Sequence, residues 1–153
     1  MYPLLDGSMS DRTITVTIPA EQDGTFAKAN VMAAITGASQ RMFTFSNVSG
    51  LISFEVKRDD LTKVIIRSND GSPIAGSQSL TFDENGAVSG VEYAEGGSPE
   101  ITVALNGPGT YYVATMMNVE MKAGFGMRFF KGEEPLLQGP VRLGRLQDEV
   151  SLL

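Results

Sequence analysis

The stretch Thr13-Ile14-Thr15-Val16-Thr17-Ile18-Pro19 decides the fold class of this chain. Its apolar residues alternate strictly with threonines, so Ile14, Val16 and Ile18 lie on one face of an extended strand. Pro19 ends the strand because proline has no N–H to donate to a β-ladder. The pattern predicts a strand with one face in a core and one face in water.

Comparable segments recur along the chain, each followed by a turn signal. We predict strands over 51–57, 63–68, 77–83, 100–105, 111–117 and 124–130, with further strands over 30–36, 42–47 and 141–146. The segment 30–36 is compatible with a strand or a short helix, and we favour the strand. In 42–47 we expect Phe43 and Phe45 on one face. About nine or ten strands at a spacing of roughly 8–12 residues are typical of an antiparallel sandwich or barrel. The predicted fold class is all-β, an antiparallel two-sheet sandwich.

The composition argues for a non-catalytic single domain over residues 1–153. The chain contains no His and no Cys. It therefore lacks the residues of a Ser-His-Asp triad, a Cys-His pair, a zinc hydrolase or a CxxC redox centre. Chemistry with paired carboxylates or with Ser and Lys remains open. We predict that the protein is not an enzyme and has no catalytic, cofactor-binding or metal-binding residues.

Charge and hydropathy restrict the partners. The net charge is −6, and an acidic chain repels phosphate backbones and anionic membrane surfaces. We therefore expect no nucleic-acid partner. No apolar run of about 18 residues occurs, which predicts no transmembrane segment. The first six residues, Met1 to Asp6, have neither the basic nor the apolar region of a signal peptide.

Two short motifs resemble known sites but are better explained as turns. Asp83-Glu84-Asn85-Gly86 resembles part of a calcium loop, yet the position of the closing Glu holds Ala94. We interpret it as a hairpin turn. Asn47-Val48-Ser49 matches the N-glycosylation sequon, and we interpret it as a turn between strands.

Other side chains also have a structural interpretation. The adjacent carboxylates Asp59-Asp60 and Glu133-Glu134 are predicted to be solvated turns, because acid–base pairs face each other across a cleft. We expect the late methionines to fill the core, although thioethers also form adaptable binding surfaces; these are Met116, Met117, Met121 and Met127. The tyrosines Tyr93, Tyr111 and Tyr112 are the candidates for stacking on a sugar.

The ordered set of segments resembles the fimbrillin family, the subunits of type V pili and related adhesins of Bacteroides-type bacteria. The resemblance covers nearly the whole chain. It is carried by Tyr2-Pro3, by 13–22, by 45–54 (FSNVSGLISF), by 66–76 (IRSNDGSPIAG), by 109–114 (GTYYVA) and by 141–146 (VRLGRL).

This resemblance implies a transthyretin-like sandwich of the N-terminal-domain type, on the cell surface or fimbrium and associated with the outer membrane. Its partners would be other pilus subunits or further copies of itself, joined by edge-strand addition, and a host or bacterial surface protein or glycan. The chain departs from the family pattern because it shows no signal peptide and no lipid-attachment Cys. It also starts where the family's Tyr-Pro segment starts, so we expect the family's first strands to be missing.

Two functions follow as expectations. The first is a structural or adhesive pilus subunit, or a fimbrillin-like adhesin, that assembles by strand addition. The alternative is a surface carbohydrate-binding module, which requires an exposed aromatic platform.

Overall fold

The computed structural model describes residues 7–10, 12–34, 45–136 and 150–152. In this part of the chain the strands are β1 (Gly7–Ser10), β2 (Thr13–Ile18), β3 (Glu21–Gln22), β4 (Met32–Ala33), β5 (Ser46–Asn47), β6 (Gly50–Val56), β7 (Lys63–Ser68), β8 (Gly76–Phe82), β9 (Val88–Tyr93), β10 (Glu100–Ala104), β11 (Gly109–Thr115), β12 (Phe125–Lys131), β13 (Glu134–Pro135) and β14 (Val150–Leu152). One short helix, α1 (Phe26–Ala29), lies between β3 and β4. The predicted all-β fold class is confirmed.

The alternation in β2 places its side chains as the sequence predicts. Ile14, Val16 and Ile18 are buried, and the threonines between them lie on the outer face. Two of these threonines share hydrogen bonds with serines of β8, at 3.0 Å for Thr15–Ser79 and 2.7 Å for Thr17–Ser77. Hydroxyl groups on neighbouring strands satisfy each other's hydrogen bonds, so this outer face needs no packing against a core and can remain in water.

The strands form several antiparallel sheets that pack together. A four-stranded sheet has the order β1-β2-β8-β9, and a five-stranded sheet has the order β13-β12-β7-β10-β3. A three-stranded sheet, β11-β6-β14, and the pair β4-β5 complete the described set. One neighbouring pair departs from the antiparallel expectation, because β3 runs parallel to β10.

The five-stranded and three-stranded sheets are joined edge to edge by Gln22 and Gly24. The side-chain amide of Gln22 donates to the Ala114 carbonyl at 2.8 Å, and the Ala114 N–H donates to the Gln22 amide oxygen at 2.9 Å. The Tyr112 N–H donates to the Gly24 carbonyl at 2.9 Å. These contacts occupy backbone groups of β11 that a neighbouring strand would otherwise occupy.

A single cluster of buried residues draws on β2, β4, β6, β7, β8, β10, β11 and β12. Phe54 lies at its centre, with its ring stacked 5.7 Å from Tyr111 and edge-on to Phe129 at 6.3 Å. Burying one side chain of this size contributes about 1.5–3 kcal/mol, in addition to the many aliphatic side chains of the cluster. Gln78 is also buried, and its amide bonds the Val48 carbonyl and the Met117 N–H.

The structure differs from the sequence-based expectation in the region before β6. Of the predicted strand over 30–36, residues 30–34 are described, and they contain the two-residue β4; α1 precedes it with Ala29 buried against the core. Phe45 is 50% exposed and does not face the core, while Phe43 lies outside the described residues. The predicted strand over 141–146 also lies outside them. β9 was not predicted, although the turn at Asp83–Gly86 requires a partner strand.

Candidate functional site

A cleft of about 840 Å³ lies where the five-stranded sheet meets the three-stranded sheet. Its volume falls in the range of roughly 300–1,000 Å³ that is usual for ligand-binding sites. Thr102 and Ala104 of β10, Lys63 of β7, and Tyr112 and Ala114 of β11 line it. The segment from Asp23 to Ala29 and the turn at Gly132 and Glu133 also contribute to its lining. The cleft therefore depends on the junction that Gln22 makes.

Two ion pairs stand in the lining of the cleft. Lys28 pairs with Asp23, and Lys63 pairs with Glu133 at 2.8 Å. The hydrogen bond from Lys28 lowers the pKa of Asp23 from 3.8 to about 2, against the opposing effect of burial and with help from the Thr25 N–H. Both ammonium groups are thus neutralised by a neighbouring carboxylate.

The ammonium group of Lys63 also contacts an aromatic ring, in addition to Glu133. Its ammonium nitrogen lies 4.9 Å from the centre of the Phe130 ring, a distance at which a cation is attracted to an aromatic face. The Phe130 side chain is buried although it lies outside the main core cluster. Lys63 therefore covers an apolar ring while its charged end remains at the cleft.

Glu21 and Thr102 are two lining residues whose polar side chains make no hydrogen bond or ion pair in the described part of the chain, and the Tyr112 hydroxyl makes none there either. They are register partners in the parallel pair β3–β10, so their side chains are neighbours. The exposed carboxylate of Glu21 makes no ion pair, and the Thr102 hydroxyl makes no side-chain hydrogen bond there. One hydrogen-bond acceptor and one hydroxyl that can donate or accept therefore stand side by side.

Tyr112 supplies the aromatic surface of the cleft. Its ring centre lies 5.0 Å from that of Phe26 with an angle of 71° between the planes, an edge-to-face contact. Helix α1 therefore packs against β11 through this pair. Phe26 itself is 51% exposed, which leaves an aromatic surface open beside the cleft.

The three candidate tyrosines have different environments. Tyr112 lines the cleft, but Tyr111 is buried, and its hydroxyl donates to the Gly107 carbonyl at 2.7 Å. Tyr93 lies on β9, away from the cleft lining, and its hydroxyl donates to the Met117 carbonyl. Burial and the nearby Glu120 carboxylate raise the pKa of Tyr93. The tyrosines do not form one sugar-binding platform.

The two short motifs identified in the sequence, Asp83–Gly86 and Asn47–Ser49, make hydrogen bonds within the fold. The Asp83 carboxylate accepts the N–H groups of Asn85 and Ala87 at 2.8 and 2.9 Å, and Gly86 has a φ of +79°. These contacts explain the motif as a turn. Asn47 ends β5, and Ser49 donates to the Ala29 carbonyl at the long distance of 3.4 Å.

Two of the adjacent carboxylates, Asp60 and Glu133, are paired with different cations. Arg58 makes two hydrogen bonds to Asp60, at 2.9 and 2.8 Å, and holds the pKa of that carboxyl well below its usual range together with Lys131. Glu133 pairs with Lys63 in the cleft, whereas Glu134 belongs to β13. Of the late methionines, Met116 and Met127 are buried, while Met117 and Met121 pack partly against the core.

The residues that sequence reasoning missed are Glu21, Thr102 and the two cleft lysines. Nothing in the local pattern identifies them, because Glu21 and Thr102 meet through a parallel pairing across 81 positions of sequence. The only available signal is a charged residue two positions after Pro19, which is also typical of an ordinary loop.

Two sheet edges are incompletely paired within the described residues. Within the described residues β9 pairs only with β8, so its other edge has no partner strand there. β6 pairs with β11 over all seven of its residues, but β14 pairs only with Phe54–Val56.

Two findings on metal ligands and membrane spans concern the described residues alone. Within the described ranges, no three His, Cys, Asp or Glu side chains lie together as a set of metal ligands. No helix among those residues is both long and apolar enough to cross a bilayer. Comparisons of the chain with protein-family models, with curated proteins and with solved structures found no match.

Proposed function

We propose that this chain is a non-catalytic structural or adhesive subunit of fimbrillin type, which assembles by strand addition at the bacterial cell surface. The transthyretin-like topology, the association with the outer membrane and the pilus partners belong to the same proposal. Its basis is the set of family-like segments in the sequence, together with one feature of the sheets.

That feature is the pairing of β14 with β6. β14 comes from far along the chain, and its register partners are Val56, Glu55 and Phe54. Phe54 and Val56 are buried, so an added strand at this edge pairs with a strand that itself forms part of the core. Main-chain hydrogen bonds and alternating side chains are the recognition mode of strand addition. The same bonds form equally well when the strand comes from another copy of the chain.

The outer edge of β9, which has no partner strand among the described residues, supports assembly in a second way. Its sequence, Val-Ser-Gly-Val-Glu-Tyr, has no Lys or Pro, the residues that commonly protect an exposed edge. A register shift between Thr81 and Phe82 disturbs one half of the strand. The half that ends at Tyr93 keeps a regular register.

The experiment uses the absence of natural cysteines. In the double variant Glu55→Cys and Ser151→Cys, two new thiols occupy register partners of β6 and β14. Neighbouring antiparallel strands hold Cα atoms at about 4.5–5.5 Å, within the range that a disulfide bridges. After refolding at increasing protein concentration and oxidation, we expect a ladder of disulfide-linked multimers on a non-reducing gel.

The matched control is Thr17→Cys with Ser77→Cys, a register pair between β2 and β8 inside the four-stranded sheet. This pair should cross-link within one chain at every concentration. If the Glu55/Ser151 pair also gives only monomers at the highest concentration, exchange of β14 between copies is wrong.

A further inference from the structure

The arrangement of polar groups in the cleft defines the chemistry of a ligand. Glu21 and Thr102 stand side by side without protein partners in the described residues, one as an acceptor and the other as donor or acceptor. Two adjacent hydroxyl groups of a ligand satisfy both, because one donates to the carboxylate and the next bonds the threonine hydroxyl. Vicinal hydroxyls are the defining feature of a sugar ring.

The charges of the lining disfavour an anionic ligand. The ammonium of Lys28 is already matched by Asp23, and that of Lys63 by Glu133. An anion would have to displace one of these carboxylates and would approach the Glu21 carboxylate. A cation would be attracted to the unpaired Glu21 carboxylate, so a cationic ligand is the competing class that the titration below must test. A neutral ligand with many hydroxyls can bond both members of each pair and break neither.

Tyr112 provides the apolar part of the site. Its ring is fixed by the edge-to-face contact with Phe26 and its backbone by the bond to the Gly24 carbonyl. An aromatic face held in one orientation binds the apolar face of a pyranose ring at little entropic cost. The volume of about 840 Å³ accommodates more than one sugar unit in this mixed apolar and polar setting.

We infer that the cleft formed by β3, β10, β11 and the segment Asp23–Ala29 binds a neutral oligosaccharide, with Glu21 and Thr102 as hydrogen-bonding residues and Tyr112 as the stacking residue. This inference does not rest on strand addition, since it concerns a face of the sheets that β14 does not form. It extends the proposed function with a class of ligand.

The test is a titration of the ¹⁵N-labelled full chain followed by amide chemical shifts. The probes are trisaccharides of glucose, mannose, galactose and N-acetylglucosamine, with sialyllactose as an anionic probe and trilysine as a cationic probe. We expect at least one neutral trisaccharide to shift the amides of Thr102, Tyr112 and Gly24 in a saturable manner, with neither charged probe doing so.

The variant Glu21→Ala with Thr102→Val should weaken that binding by about tenfold or more, because a charge-assisted hydrogen bond is lost. The matched control is Thr17→Val, which removes a hydroxyl from the outer face of β2 and should leave affinity unchanged. Thermal unfolding of each variant checks that it folds. Silence of all neutral probes, preferential binding of a charged probe, or unchanged affinity in the folded double variant would each overturn the inference.

Discussion

The side-chain amide of Gln22 bonds both backbone groups of Ala114, at 2.8 Å to the carbonyl and 2.9 Å from the N–H. A glutamine amide has the same donor and acceptor arrangement as a peptide group. Gln22 therefore acts at the edge of β11 as a neighbouring strand would. It also donates to the Pro19 carbonyl, so one side chain fixes the end of the loop after β2 and the junction of two sheets.

The first prediction concerns this junction. Replacement Gln22→Leu leaves the N–H and carbonyl of Ala114, a buried residue, without their partner. We expect a loss of about 1–3 kcal/mol in the free energy of unfolding, the usual cost of an unsatisfied buried polar group. Urea unfolding measures the loss, and amide hydrogen exchange should accelerate at Ala114. The control Glu92→Leu changes an exposed residue of β9 and should alter neither quantity. Retained protection of Ala114 in Gln22→Leu would contradict this role.

The same contact shows what the sequence could and could not reveal. The alternation of Ile14, Val16 and Ile18 predicts β2, because successive side chains of a strand point to opposite faces and the buried face is apolar. Gln22 follows Pro19 in a segment with no periodicity, and its partner lies 92 positions away. Its function depends on a tertiary approach that no local pattern encodes.

The cleft illustrates the same limit at the level of the site. Tyr112 could be proposed as a sugar-stacking residue because aromatic side chains have a recognisable chemistry. Tyr111, its neighbour in sequence, was equally plausible, yet successive residues of a strand point to opposite faces and Tyr111 enters the core. Glu21 and Thr102 become neighbours only through the parallel pair β3–β10, which an antiparallel expectation does not include.

The second prediction compares two large apolar residues of β6. Phe54 is fully buried and Leu51 is 46% exposed. They are three positions apart, so they lie on opposite faces of the strand. Phe54→Ala should cost about 3–5 kcal/mol because it removes a large side chain and leaves a cavity. Leu51→Ala should cost less than about 1 kcal/mol, as is usual for a surface position. Urea unfolding of both variants under one set of conditions checks the difference. Equal losses would mean that the outer face of β6 is covered.

The third prediction concerns the stability of the fold at low pH and the contribution of Asp70 to it. The hydroxyl of Ser68, at 2.6 Å, and the N–H of Ser72, at 3.0 Å, hold the pKa of Asp70 well below its usual 3.8. A carboxyl whose pKa is lower in the folded state stabilises the fold above its unfolded-state pKa. This stabilisation is lost as the pH falls from about 4 towards 2, because the unfolded state then binds more protons.

The change Asp70→Asn should therefore make the urea midpoint less dependent on pH between about pH 4 and pH 2. Ser68→Ala, which removes the closest donor, should act in the same direction. Asp23, whose pKa is about 2, contributes the same dependence independently, so part of the slope should remain in both variants. If the slope of Asp70→Asn equals that of the unmodified protein, the hydrogen bonds to Asp70 do not stabilise its ionised form.

The last prediction separates backbone conformation from packing at Gly24. Gly24 has a φ of +73°, and a Cβ added there would lie 2.5 Å from the Tyr111 ring and 3.1 Å from Val103. Gly71 has nearly the same φ, +76°, with no atom within 4 Å of an added Cβ. Gly71→Ala should therefore cost only the backbone strain of about 1–2 kcal/mol. Gly24→Ala should cost clearly more, because Tyr111 must move and the carbonyl that accepts the Tyr112 N–H moves with it. Urea unfolding compares the two losses, and the Tyr112 amide shift reports whether the junction has opened.

Similar losses for both variants would show that Tyr111 yields to the added methyl group, and that the approach of Gly24 to β11 is not tightly packed.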